Sequence, residues 1–149
     1  MRTLEQWMSE YAKSHTNPTN KLIHKICVPV IMFCVLGLFW SIPTPQAFQS
    51  VAYFNWATIF VLGCLVFYLT LSFKMFLAML IETSMMLIGV YYLDIHFNLL
   101  QISTILFVLA WIFQFIGHKI EGKKPSFFQD LAFLLIGPLW VLRAFGYKG

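Results

Sequence analysis

Apolar and polar positions alternate in blocks along the chain, and the blocks predict helices. From Thr3 to Ser14, Leu4, Trp7, Met8 and Tyr11 recur at three- and four-residue spacing, which predicts a short amphipathic helix able to lie on a membrane surface. The run His15-Thr16-Asn17-Pro18-Thr19-Asn20 is turn chemistry: Asn17 precedes a proline and is biased away from helix, while Asn20 is a good N-cap for the apolar helix after it. Lys21 to Ser41 is then apolar over a length of about 31 Å as a helix, close to a hydrocarbon core. Pro29 is expected to kink that helix near its start, and Pro43 and Pro45 mark a loop without charge.

The next apolar stretch, Ala52 to Leu93, would reach roughly 60 Å as one helix, about twice a bilayer core. Ser72 and Lys74 form its mid-length polar cluster, so the pattern predicts helices over 52–71 and 74–93 although no Gly or Pro marks the cut. A further helix is expected over 99–117. The last segment, 127–142, carries Gln129 and Asp130 near its start and Gly137-Pro138 in its middle. It predicts either a re-entrant or interfacial hairpin or a fifth crossing.

Composition turns these blocks into a membrane protein. Of 149 residues 60% are hydrophobic and 11% charged, whereas soluble domains carry roughly 25% charge. The expected architecture is an all-α integral membrane protein of a single domain, 1–149. It has about four transmembrane helices, an N-terminal amphipathic helix and a C-terminal re-entrant or fifth apolar helix. Met1 to Lys25 lacks the early apolar core of a cleavable signal peptide. Cys27, Cys34 and Cys64 lie in apolar runs, are odd in number and form no CxxC, so they imply neither a disulfide framework nor a zinc site. No basic helix or aromatic RNA-binding motif supports nucleic-acid binding. Arg2, Lys13, Lys21 and Lys25 precede the first span, Lys74 follows the second, and Lys119, Lys123 and Lys124 follow the fourth. That alternation is the positive-inside pattern and predicts a cytoplasmic N-terminus, with Arg143 and Lys148 favouring a return to the same side.

Chemistry concentrates on histidine. His24 lies in the first turn of the first span, His118 at the end of the fourth, and His15 in the loop feeding the first. Four crossings put all three at one interface, where neutral imidazoles are good ligands for iron, zinc or copper. If 52–93 crossed only once, His24 and His118 would fall on opposite faces. Glu121, three residues after His118, would share its helix face and offer a carboxylate ligand or a partner for an imidazole. Gln114, one turn before His118, can hydrogen-bond a ligand histidine or a substrate. His96, beside Asp94, is expected in a solvated loop on the other face, and Glu82 is a costly acid within an apolar helix.

Two stretches carry a resemblance. Tyr11-Ala-Lys-Ser-His15-Thr-Asn17-Pro18-Thr-Asn20-Lys-Leu-Ile-His24, with Pro29 beyond it, and Trp111-Ile-Phe-Gln114-Phe-Ile-Gly117-His118, followed by Glu121 and Lys123-Lys124-Pro125, resemble the small membrane family of 2-hydroxy fatty acid dioxygenases. The likeness runs over nearly the whole chain. It implies Fe(2+)-dependent α-oxidation, in which a 2-hydroxy fatty acid and O2 give the fatty acid one carbon shorter with loss of the carboxyl carbon. Such acids arise in sphingolipid (phytosphingosine) breakdown. The resemblance implies that His15, His24 and His118 are the catalytic and metal-holding residues. Glu121 stands in the acidic position before the basic-Pro stretch, and His96 matches no motif. Tyr11, Asn17, Asn20, Gln114, Lys123 and Lys124 are the candidate substrate contacts, and Lys25 is a further candidate to attract a substrate carboxylate. The expected location is a bacterial inner membrane or the endoplasmic reticulum, with the site facing the cytoplasm.

Two other classes compete. One is a non-enzymatic lipid-binding or partner subunit, and the other a haem-binding electron carrier using paired histidines. Di-iron desaturases are disfavoured, because they need about eight histidines in HxxxH and HxxHH boxes and this chain has four in total.

Overall fold

A computed structural model describes residues 2–128 and 131–146. Gln129, Asp130 and Lys148, on which part of the reading of the last segment rests, lie outside the described residues. Among the described residues the chain is helical and contains no strand: α1 (Leu4–Ala12), α2 (Pro18–Trp40), α3 (Trp56–Leu71), α4 (Phe73–His96), α5 (Leu99–Glu121) and α6 (Phe133–Ala144). Short 3₁₀ turns occupy Gln46–Ser50 and Ser126–Phe128. Three helices, α2, α4 and α5, are long and apolar enough to cross a membrane, whereas α3 and α6 are shorter apolar helices. The chain divides into two compact units, Met1–Ile31 with Val108–Gly149, and Met32–Phe107.

In the first unit, α1 opens on a reciprocal cap: Thr3 Oγ1 accepts from the Gln6 N–H and the Gln6 side chain accepts from the Thr3 N–H. The apolar stripe expected to lie on a membrane surface instead packs on α6. Trp7 meets Phe133 edge-on with ring centroids 5.0 Å apart, a geometry worth about 0.5–1.5 kcal/mol beyond burial. Arg143 of α6 closes the contact with two hydrogen bonds to the Glu5 carboxylate. Gly137 and Pro138 do not break α6, which runs through both. A side chain at Gly137 would crowd Val28 and the Tyr11 hydroxyl, which lies 3.2 Å from where its Cβ would stand.

Helix α2 starts three residues before the pattern predicts. Asn17, not Asn20, is its cap: Asn17 Oδ1 accepts from the N–H groups of Thr19 and Asn20, and Pro18 takes the first helical position, where a missing N–H costs nothing. Helix α5 runs past Gly117 to Glu121 and stops at Gly122, whose φ of +74° is readily reached only by glycine.

In the second unit, one residue separates α3 from α4. Ser72 is extended, yet its N–H still bonds the Tyr68 carbonyl and its carbonyl accepts from Phe76. The break therefore falls at the polar cluster without any Gly or Pro. Asn55 caps α3 by accepting from the Ala57 and Thr58 N–H groups. Tyr68 of α3 and Met75 and Met79 of α4 are fully buried where these helices pack. Along α4 Ile81, Met85, Ile88 and Ile95 are each more than half exposed. Water would not tolerate so continuous an apolar stripe, and lipid covers it without cost. Glu82 sits half-buried in α4 with one carboxylate oxygen enclosed.

Helix α2 approaches α5 in this unit at Gly37, where an added Cβ would collide with the Ser103 hydroxyl and crowd Leu99. Gly37→Leu is expected to destabilise the protein by about 1–3 kcal/mol through overpacking. Gly63→Ala, at a position with open space around it, should be close to neutral. Thermal unfolding in detergent reads both.

Candidate metal centre

Three histidines from three local structures meet in the first unit. His15 sits in the turn that ends α1, His24 on the second turn of α2, and His118 in the last turn of α5. Each offers one ring nitrogen, and these atoms lie within 4.8 Å of one another. All three residues are buried, 2%, 2% and 6% exposed respectively. His24 Nε2 and His118 Nε2 are 3.1 Å apart, and the three ring centroids are separated by 4.3 to 5.2 Å.

Hydrogen bonds fix which nitrogen of two rings points inward. His15 Nδ1 lies 2.7 Å from the Tyr11 carbonyl and His24 Nδ1 lies 3.0 Å from the Asn20 carbonyl. A carbonyl only accepts, so both Nδ1 atoms carry the proton and both Nε2 atoms present lone pairs. His15 Nε2 is buried with no hydrogen-bond partner. Burial, opposed by the bond to Tyr11, holds the His15 imidazole down at about 4, so the ring is neutral at neutral pH. Buried acceptors aimed at one point are costly unless a cation lies between them. Two imidazoles on one ion at about 2.1 Å each would sit ~3 Å apart, the separation of His24 and His118. The donor set thus fits a metal ion. It does not fit a haem, because rings this close leave no slot for a macrocycle.

The surroundings include aromatic rings against His15 and lysines near His118. Tyr11, buried, stacks on His15 with centroids 4.1 Å apart, and Trp140 of α6 lies 5.3 Å from the same ring. Nothing in the sequence pattern singles out Trp140. His118 also lines an open cavity of about 580 Å³ with Phe115, Phe128, Lys119, Lys123 and Lys124.

The remaining candidates fall in different places. Asn20 is fully buried and its side-chain N–H groups donate to the Ser14 carbonyl and to Glu121, while Asn17 caps α2. Gln114 is 5% exposed, with Oε1 unpartnered one turn before His118. Lys123 Nζ donates to the Lys13 carbonyl, and Lys25 Nζ lies over Phe145. Glu121 is not among the clustered ligand atoms; both of its oxygens accept hydrogen bonds from the segment between His15 and His24. His96 belongs to the other unit, exposed at the end of α4 against Tyr92.

Comparison with known proteins places a name beside this geometry. A family model described as "2-hydroxy-palmitic acid dioxygenase Mpo1-like" matches residues 1–148. The chain is similar to the 2-hydroxy-palmitic acid dioxygenase MPO1 of Saccharomyces cerevisiae, at 27% identity over 97% of this chain and 80% of that protein. No solved structure matches it.

The buried neutral His15 has a consequence for metal-free protein. Because its folded pKa lies below the ordinary value, the unfolded chain takes up the proton first, and stability falls as pH drops from about 6.5 towards 4. Melting temperature in detergent should decline through that window, and decline less steeply in His15→Gln. An equal slope in the variant would contradict the assignment.

Proposed function

Because the chain belongs to the Mpo1-like 2-hydroxy-palmitic acid dioxygenase family, we propose that it is an Fe(II)-dependent dioxygenase that shortens 2-hydroxy fatty acids by one carbon. The observation that carries this reading is the cluster of three buried imidazoles, two of them held with Nε2 lone pairs inward. The balanced reaction takes RCH(OH)COOH and O2 to RCOOH, CO2 and water. Fe(II) bound there would supply the one-electron chemistry that activates dioxygen.

The chain's own groups bind, orient and exclude water. His15, His24 and His118 hold the ion, with the Tyr11 and Asn20 carbonyls fixing two of the rings. Lys119, Lys123 and Lys124 around the cavity attract the substrate carboxylate, and Phe115 and Phe128 receive the start of the acyl chain. The unpartnered Gln114 Oε1 accepts from the substrate 2-hydroxyl. Tyr11 and Trp140 cover His15 and keep solvent from that side.

The same contact supports a reading of the membrane topology. His24 near the start of α2 and His118 near the end of α5 touch at 3.1 Å, so the chain between them crosses an even number of times. Three long helices alone would leave the two rings on opposite faces. We therefore assign α3 as the fourth crossing; its 16 residues span about 24 Å, short but sufficient if the bilayer thins locally. The lysines flanking the site support a cytoplasmic location for it.

Anaerobic loading with Fe(II), followed by 2-hydroxypalmitate and O2, tests the activity. Pentadecanoate is expected from the iron-loaded protein, with a loss of at least about 100-fold in His24→Ala. Well-folded, iron-loaded protein that releases no pentadecanoate would refute the proposal.

A further inference from the structure

Glu121 lies one turn beyond His118, where a carboxylate ligand would be expected, yet its oxygens are engaged elsewhere. Oε1 accepts from the Thr16 N–H at 2.9 Å and from the Thr16 hydroxyl. Oε2 accepts from the Asn17 N–H at 2.8 Å and from Asn20 Nδ2 at 3.0 Å. All four donors belong to the short segment between His15 and His24. Just before His15 the chain is tied to the stretch after α5 twice more, by Lys123 Nζ on the Lys13 carbonyl and by Ser14 on Ser126.

The donors are not arbitrary ones. Thr16 directly follows His15, so fixing its N–H fixes the backbone that presents that ring. Asn20 provides the carbonyl that orients His24 Nδ1. Thr16 and Asn17 stand at the N-terminus of α2, where the helix dipole favours a negative charge. Room for Asn20 is kept at Gly117, where a Cβ would come within 2.5 Å of Asn20 Oδ1. One carboxylate on the helix of His118 thereby gathers the two other histidine-bearing segments.

We propose that Glu121 is a positioning residue that clamps the 16–20 segment to the end of α5, and that the ion is held by histidines without it. The clamp stands on the hydrogen bonds alone, while its effect on the ion rests on the metal centre proposed above. Moving Glu121 to a metal would strip its acceptor from the buried Asn20 amide and from two backbone N–H groups.

The test uses the full chain in detergent, with Co(II) as the metal probe, and compares wild type with Glu121→Gln, Thr16→Val and the double variant. In metal-free protein the Thr16 and Asn17 amides should exchange with solvent about tenfold faster or more in Glu121→Gln. Co(II) affinity should fall about 10–100-fold, while the visible spectrum at saturation stays that of wild type. Thr16→Val should weaken Co(II) binding less, and the two losses should combine to less than their sum. Should Glu121→Gln fail to fold, Thr16→Val alone carries the test, with faster Asn17 exchange and weaker Co(II) binding expected. Unchanged amide exchange, a changed spectrum at saturation, or strict additivity would each overturn the clamp. If wild type itself binds no Co(II), the metal centre fails, and amide exchange still decides whether the clamp exists.

Discussion

Three buried imidazoles packed against one another, two of them with acceptor nitrogens turned inward, form an arrangement that water would not leave and a dry interior would not keep. The structure tolerates it because two of the rings donate Nδ1–H to carbonyls four residues back, Tyr11 for His15 and Asn20 for His24. Those bonds orient the rings before any ion arrives. A cation bound between the inward nitrogens would stabilise them, and folding in this region would then be coupled to metal affinity.

Much of the remaining structure serves to hold these rings in place. Helix α1 delivers His15 by docking Trp7 and Tyr11 on α6, and α6 returns Trp140 to cover the ring. The N-cap at Asn17 starts α2 in time for His24 to sit on its second turn. The extension of α5 beyond Gly117 places His118 and Glu121 on one helical turn. In the second unit the single extended residue at Ser72 lets α3 and α4 pack on each other.

The convergence of His15, His24 and His118 is legible in the sequence, because helix ends can be counted along an apolar chain. The count rests on a break near Ser72 that only two polar residues announce, and the structure has an extended residue there. The pattern predicts four spans, and among the described residues three helices meet the length for one; α3 loses its first turn to the loop that ends at the Asn55 cap. Other features depart from the pattern for local reasons. Asn17 and Asn20 are equally good caps by type, and Pro18 at the first helical position decides between them. Gly122 is a stop signal for α5 that places Glu121 inside the helix, beyond the end that the apolar run suggests. Gly137-Pro138 suggests a turn, but a proline removes one helical bond and α6 absorbs the loss. Trp140 carries no signal, because its importance arises only from how α6 docks.

X-ray absorption of Fe(II)-loaded protein in detergent tests the central claim most directly, because scattering from imidazole rings is counted at the iron. Three imidazoles are expected for wild type and two for His15→Ala. Iron surrounded by oxygen ligands alone, or a ring count unchanged by removing His15, would contradict the account.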